Sequence, residues 1–312
     1  MSVSLQFVTR FARSYDSVTL RALVHGVMAS GVVAGLSLLV PEVGMAGTID
    51  RSEGDPVSRV SPQVSRQVSP QVSPQAQILA QAGGSASAPA AVVQNLSAID
   101  RAASAEDLET VLGFYDRTFL HEDGWTRADL RQSLTLFWER FSGLRYETEL
   151  LSWDEVNGQI VTETRTQIGG TERLAQRTLS LESQLHLRQY WQGDRIVREE
   201  VLGERSQIQT GEVPPTLVVQ LPEQVQVNES FNFDVIVTEP LGDDLLLGGV
   251  LDEAVRQESY GAITEIGLEP IVSGGIFKVG RAPGVEDTRW ISAVVVRKGG
   301  ITFVTQRLQV VE

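Results

Sequence analysis

The sequence predicts an α+β domain, in which helices precede a strongly bent antiparallel sheet, and then an all-β sandwich domain. Before Gly143 the apolar residues recur every three or four positions, and after it they alternate with polar ones. Beyond Pro214-Pro215 the chain shows only strand and turn patterns. We therefore place the first domain at residues 93–209 and the second at residues 213–312.

Composition limits the possible partners. The 312 residues carry a formal net charge of -14, and both predicted domains are acidic. Because binding to phosphate backbones depends on clustered cations, we expect no nucleic-acid partner. The chain has no cysteine, which excludes disulfides, thiolate nucleophiles and zinc-thiolate sites.

The N-terminus has the order of an export signal. Arginines at 10, 13 and 21 precede an apolar run at 22–40, and the small residues Gly44 and Ala46 follow. This order predicts a signal peptide at residues 1–46, cleaved after Ala46. The run of about 19 residues is close to a bilayer span, so an uncleaved anchor is the alternative. We expect export to the periplasm, with the thylakoid lumen or an anchored, periplasm-facing form as alternatives.

A disordered linker is predicted at residues 47–92. Four tetrads of the type Val60-Ser61-Pro62-Gln63 fill residues 60–75, with Arg66 in place of the second proline. Recurring proline blocks a helix, and one valine per tetrad cannot build a core. We interpret the segment as a tether, or alternatively as a ligand for a proline-recognising or cell-wall partner.

The first domain opens with predicted helices. Ser104 and Asp107 resemble a cap for a helix at 104–119, and Thr126 with Asp129 repeats the signal for a second helix, which ends at Gly143. Alternation then predicts four strands and three tight turns. The strands are 145–153, 159–168, 177–191 and 195–205, and the turns are 157–158, 169–170 and 193–194.

Three segments carry a resemblance to a known superfamily. AEDLETVLGFY at 105–115, GWTRADL at 124–130 and LRQYW at 187–191 resemble parts of the nuclear transport factor 2-like superfamily. These proteins share a cone-shaped α+β fold with ketosteroid isomerase and scytalone dehydratase. The resemblance covers a little over a third of the chain. It implies a pocket between the helices and the concave sheet, and a possible homodimer through the sheet.

The implied pocket has four candidate residues, Tyr115, Trp138, Leu185 and Leu187. A ketosteroid-isomerase-like mechanism needs a carboxylate base and a hydroxyl donor. Tyr115, on the first predicted helix, is the possible donor. The carboxylates considered opposite it fall on strand faces that look exposed: Glu147, Glu149, Glu163 and Glu182. We therefore assign no catalytic residue.

No metal or cofactor site is predicted. His121 and His186 lie far apart in the sequence and form no His-x-x-His or His-Glu-x-x-His motif. We expect His121 in a loop and His186 on an exposed strand face.

The second domain resembles the immunoglobulin-like modules of bacteria. Its opening, LPEQVQVNESF at 221–231, looks like the first strands of such a module. Seven short strands in about 100 residues are typical of a sandwich. They are 216–221, 230–238, 245–255, 263–271, 275–281, 288–297 and 301–311.

Two classes of function follow from this organisation. The first is an exported, non-catalytic binding or scaffold protein, whose cone binds a small apolar ligand or a protein while the sandwich is a docking module. The alternative is an isomerase, dehydratase or hydrolase acting inside the cone. A third possibility makes the first domain only a dimerisation unit. The whole layout resembles uncharacterised secreted proteins of cyanobacteria.

Overall fold

A computed structural model describes residues 88–174, 177–240, 242, 244–256 and 266–312. The predicted export segment, the predicted linker up to residue 87 and the first three residues of the predicted strand at 263–271 lie outside the described residues. No helix within the described part of the chain has the length and hydropathy to cross a membrane.

Three helices alternate with the first strands. These elements are α1 (Ala90–Ser104), α2 (Leu108–Gly113), β1 (Tyr115–His121), α3 (Arg127–Arg140), β2 (Ser142–Val156), β3 (Gln159–Leu174), β4 (Arg177–Gln192) and β5 (Arg195–Gly211). The described remainder is strand and loop. Its strands are β6 (Leu217–Gln220), β7 (Gln224–Gln226), β8 (Ser230–Val237), β9 (Leu246–Ala254), β10 (Glu269–Ile271), β11 (Gly275–Arg281), β12 (Asp287–Arg297) and β13 (Gly300–Val311).

Ten of the described strands form one large, mainly antiparallel sheet. Eight of them lie side by side in the order β10-β9-β12-β13-β5-β4-β3-β2. β1 joins through a parallel pairing with β5, and β7 through a parallel pairing with β13. The other described strands form a small sheet in the order β11-β8-β6.

The predicted combination of a helix-covered cone and a separate immunoglobulin-like sandwich is wrong, because one sheet runs through both segments. The last half of β5 pairs with β13, from Arg205 opposite Gln306 to Gly211 opposite Gly300. Gly211 and Gly300 lie opposite each other where β5 meets β13. The two backbones approach closely there, since Gly211 has φ +112 and a Cβ on it would overlap the Gly299 carbonyl. Pro214-Pro215 marks only the departure of the chain from the large sheet into the small one.

Two local predictions also fail. The single helix predicted at 104–119 is wrong: α1 ends at Ser104, α2 covers only Leu108–Gly113, and β1 begins at Tyr115 and pairs with β5. The predicted turn at 169–170 lies inside β3, where the side chain of Leu144 closely approaches Gly170. In contrast, the capping box of Thr126 and Asp129 is confirmed, with both reciprocal bonds present at the start of α3.

Two hydrophobic clusters lie on opposite faces of the C-terminal strands. On β12, Trp290 and Val294 join the cluster that also contains the helices and β2–β5, whereas Ile291, Ala293 and Val295 join a cluster with the small sheet. A strand covered on both faces needs apolar residues at nearly every position. This accounts for the apolar run at 290–296 in β12, which only Ser292 interrupts.

Candidate functional site: a buried polar row

Four polar side chains lie side by side across adjacent strands on the inward face of the large sheet. Thr162 on β3 pairs with Gln189 on β4, Gln189 pairs with Glu199 on β5, and Glu199 pairs with His121 on β1. None of the four is more than 5% exposed. Directly paired residues project from the same face of a sheet. We call these four residues the polar row.

The middle of the polar row is hydrogen-bonded. The Gln189 side-chain amide donates to Glu199 Oε2 at 2.9 Å. Thr162 Oγ1 accepts the indole N–H of Trp191 at 3.0 Å. A buried carboxylate is therefore held at a fixed position in the apolar interior.

His121 is a neutral hydrogen-bond donor at one end of the row. The backbone N–H of Asp123 donates to His121 Nδ1 at 3.1 Å, so the proton of the neutral ring sits on Nε2. An Asp123 carboxylate oxygen lies 3.6 Å from the same nitrogen, which would favour a charged ring. Burial outweighs this attraction and lowers the pKa of His121 to about 4.

Tyr115 places a hydroxyl next to the row. Its ring is fully buried and meets Phe119 edge to face at 4.9 Å. Burial, and then the nearby Glu199 carboxylate, raise the pKa of Tyr115 well above its usual value. The hydroxyl therefore keeps its proton and acts as a donor.

Several buried polar atoms in this region make no hydrogen bond of ordinary geometry, although Tyr115 Oη lies close enough to the Glu199 carboxylate to be influenced by it. They are Tyr115 Oη, His121 Nε2, Gln189 Oε1 and, on the next inward position of β3, Thr164 Oγ1. Each buried donor or acceptor left without a partner costs about 1–3 kcal/mol. Such groups are rare in folded proteins and mark strain, function or a bound molecule.

The structure brings the predicted pocket residues into one hydrophobic cluster. Tyr115, Leu185 and Leu187 are buried in it, and Trp138 packs against it at the border. Leu185 and Leu187 share the inward face of β4 with Gln189. Trp138 instead donates its indole N–H to Tyr146 Oη at 3.0 Å. The use of these four residues as a ligand pocket stays a prediction.

Sequence analysis missed Glu199, and β-bulges are the reason. Counting back from the buried Ile208 in steps of two leads to Glu200, not Glu199. A bulge in the pairing of β4 with β5 inserts Leu202 and shifts the inward side to Val201 and Glu199, and a second bulge at Val197 shifts it again to Ile196. The adjacent Glu199-Glu200 pair was the available signal, because one of two neighbouring strand residues must face inward. The four glutamates considered earlier are not buried: Glu147, Glu149, Glu163 and Glu182.

A buried arginine from the C-terminal strands lies beyond His121. Arg307 on β13 donates two hydrogen bonds to the Asp123 carboxylate and one to Glu122 Oε1, at 2.7–3.2 Å. Burial opposes its charge, but the carboxylates of Asp123, Glu204 and Glu122 raise the pKa of Arg307 above its usual value. The guanidinium is therefore charged inside the protein. No group of three or more potential metal ligands occurs among the described residues.

Comparison with protein families gives one partial match. Residues 212–311 match the family described as Domain of unknown function (DUF8623). This is about a third of the chain, and the description assigns no activity. No curated protein matches the chain.

Solved structures resemble only part of the chain. A cystatin fold protein from Novosphingobium aromaticivorans is 15% identical with a TM-score of 0.26, and the match covers 35% of this chain and 95% of that one. A putative scytalone dehydratase from the same organism is 13% identical with a TM-score of 0.29, and the match covers 36% of this chain and 80% of that one. A protein with a ketosteroid isomerase-like fold from Catenulispora acidiphila, in complex with trimethylamine, is 12% identical with a TM-score of 0.26. That match covers 37% of this chain and 85% of that one.

These matches are a distant likeness over about a third of the chain and do not establish a superfamily for it. At such TM-scores they carry no conclusion about activity. Neither the immunoglobulin-like nor the cyanobacterial resemblance has support among them.

Tyr115→Phe removes a hydroxyl that makes no hydrogen bond of ordinary geometry and keeps the buried ring. We expect the free energy of unfolding to stay unchanged or to rise by about 1 kcal/mol, measured by urea denaturation. Tyr146→Phe is the matched control, because the Tyr146 hydroxyl accepts the Trp138 indole N–H. That variant should lose about 1–2 kcal/mol. Equal losses in both variants would contradict the assignment of Tyr115 as unpartnered.

The buried His121 predicts a pH dependence of stability. Its folded-state pKa of about 4 lies below the ordinary value of 6.5, so between these values the unfolded state binds a proton that the folded state does not. Stability should therefore fall as the pH drops through this window, by roughly 3 kcal/mol in total. His121→Gln should flatten the urea-denaturation profile between pH 6.5 and 4. The partly exposed His186 is the control, and the steep profile should persist in His186→Gln.

Proposed function

We propose that this protein binds a small, mostly apolar molecule that carries a carbonyl or hydroxyl group, and that the polar row recognises this group. The observation that carries the proposal is the cluster of unpartnered buried atoms beside Glu199. Tyr115 Oη and His121 Nε2 are donors, and Gln189 Oε1 is an acceptor. A hydroxyl or carbonyl oxygen could accept from the two donors, and a hydroxyl could also donate to the acceptor.

The surroundings of the polar row are apolar, as the proposed ligand body requires. Leu185 and Leu187 precede Gln189 on the inward face of β4, and Trp191 follows it. Small-molecule sites are mostly apolar with a few convergent polar groups, which fix the orientation of the ligand. Binding would also relieve the free-energy cost of the unpartnered atoms.

The fluorescent probe 2-naphthol tests this proposal, because it joins an apolar body to one hydroxyl. We expect saturable binding to the full chain, and much weaker binding of naphthalene, which lacks the hydroxyl. Tyr115→Phe should raise the 2-naphthol dissociation constant about tenfold, the effect of one lost hydrogen bond of about 1.4 kcal/mol. Glu199→Gln should raise it as well, because it replaces the carboxylate acceptor that orients the Gln189 side-chain amide.

The opposite face of β4 and β5 supplies matched controls. The Tyr190 hydroxyl donates to the Glu200 carboxylate at 3.1 Å on that face. Tyr190→Phe and Glu200→Gln therefore make the same chemical changes away from the polar row, and both should bind 2-naphthol like the wild type. Equal binding of naphthalene and 2-naphthol, or equal weakening by both pairs of variants, would reject the proposal.

A second candidate function is acid–base catalysis on a carbonyl compound. The specific observation is that Glu199, a buried carboxylate, lies beside two neutral donors, the Tyr115 hydroxyl and His121 Nε2–H. Glu199 would remove a proton from the carbon next to a carbonyl group, and the two donors would stabilise the enolate oxygen. Return of a proton from Glu199 to carbon completes the exchange, which is the elementary step of an isomerase or dehydratase.

Deuterium incorporation distinguishes this candidate from simple binding. With cyclohexanone in D2O, the wild type should accelerate exchange at the carbons next to the carbonyl, as followed by proton NMR. Glu199→Gln should abolish the acceleration, and Glu200→Gln should keep it. If 2-naphthol binds but no exchange above the buffer rate occurs, the protein is a binding protein and the catalytic candidate is rejected.

Export of the protein belongs to the same proposal and rests on the order of charged, apolar and small residues in segment 1–46. The periplasm is the proposed destination. A protein partner for the C-terminal strands and a homodimer through the N-terminal sheet stay predictions, as does the expectation that no cofactor is needed.

A further inference from the structure

Arg307 connects the C-terminal strands to the polar row. It lies on β13, within the range matched by the family of unknown function, and its side chain is only 1% exposed. Its guanidinium binds both oxygens of the Asp123 carboxylate, at 2.7 Å and 3.2 Å, and Glu122 Oε1 at 2.9 Å. Glu122 and Asp123 directly follow His121 in the turn between β1 and α3.

These two residues hold His121 and Glu199 through the backbone. The backbone N–H of Asp123 donates to His121 Nδ1, which fixes the proton on Nε2. The backbone N–H of Glu122 donates to the carbonyl of Glu199 at 2.9 Å, and Glu122 Oε1 accepts from the backbone N–H of Val201 at 2.8 Å. Glu122 therefore binds the backbone of β5 both at Glu199 and at Val201, next to the bulge.

We propose that Arg307 is a positioning residue for the polar row, which fixes His121 as an Nε2–H donor and Glu199 in its bulged backbone conformation. It acts through Glu122 and Asp123. The C-terminal strands thus complete a recognition site whose other residues all precede residue 212. The ligand-binding role of Arg307 rests on the proposed function, but its effect on His121 does not.

The charged groups around His121 also influence its protonation state. Those that influence its pKa within the described residues are Asp123, Glu199 and Arg307. The two carboxylates favour a protonated ring, and Arg307 opposes it. If Asp123 were held less firmly, its carboxylate could accept a hydrogen bond from His121 Nδ1. This would allow the Nδ1–H tautomer of the ring.

The test reads the tautomer of His121 directly in the ligand-free protein. The full chain contains three histidines, so ¹⁵N-histidine spectra are simple, and His121→Gln assigns the signal. At pH 7 we expect wild-type His121 to show one protonated nitrogen, Nε2, and one unprotonated nitrogen, Nδ1. In Arg307→Lys, which keeps the charge but loses the bidentate geometry, both nitrogen signals should move toward a tautomer average.

Arg140 provides a matched control for the loss of a buried ion pair. Its Nε donates to Glu172 Oε2 at 2.9 Å, and both side chains are nearly buried. Arg140→Lys should lower stability and leave the His121 spectrum unchanged. If Arg307→Lys does not fold, Asp123→Asn takes its place, because it keeps the backbone donor to His121 but weakens the contact with Arg307.

Two results would overturn the inference: a wild-type His121 spectrum in the folded Arg307 or Asp123 variant, or an equal change in Arg140→Lys. In addition, Arg307→Lys should raise the 2-naphthol dissociation constant about tenfold, which corresponds to one lost hydrogen bond. A failure of the wild type to bind 2-naphthol would count against the proposed function and not against the positioning role, because the tautomer is measured without ligand.

Discussion

The rest of the structure depends on a change of partner along one edge of β5. Near its start β5 pairs with β1, through Arg198 and Glu199, and from Arg205 to Gly211 it pairs with β13. Between these two pairings no described strand adjoins β5 on that edge, and buried backbone groups must find other partners. Glu122 supplies them by bonding to the backbone of Glu199 and Val201, and the Gln309 side-chain amide donates to the Val201 carbonyl.

The same gap explains why a charged arginine lies inside the protein. Where Glu122 serves the backbone of β5 its side chain is 27% exposed, and this partial burial raises the pKa of Glu122. The charge of Arg307 acts in the opposite direction and favours the carboxylate. Arg307 also binds both oxygens of the Asp123 carboxylate. These ion pairs connect β13 to the turn that follows β1.

Local signals predicted much of the secondary structure, but long-range pairing was beyond them. The capping box at Thr126 and the turn at Asn157-Gly158 depend on residues close in sequence, and the structure has both. The pairing of β5 with β13 joins residues about 90 positions apart and leaves no periodic trace. Tyr115 was predicted to lie in the pocket region but was assigned to a helix, and Glu199 was missed because bulges reverse the alternation of β5. Register and bulges are set by the partner strand, so one strand's sequence does not reveal them.

The polar row differs from the buried hydroxyl pairs of the described sheet in being only partly satisfied. Ser183 and Ser206 pair at 2.9 Å, and Ser292 and Thr305 pair at 2.6 Å, so these polar groups add no net demand to the core. Beside Glu199, in contrast, both donors and acceptors remain unpaired at positions that apolar residues would fill with greater stability. A core selected only for stability would not keep them, whereas a recognition site must keep groups whose partners arrive with the ligand.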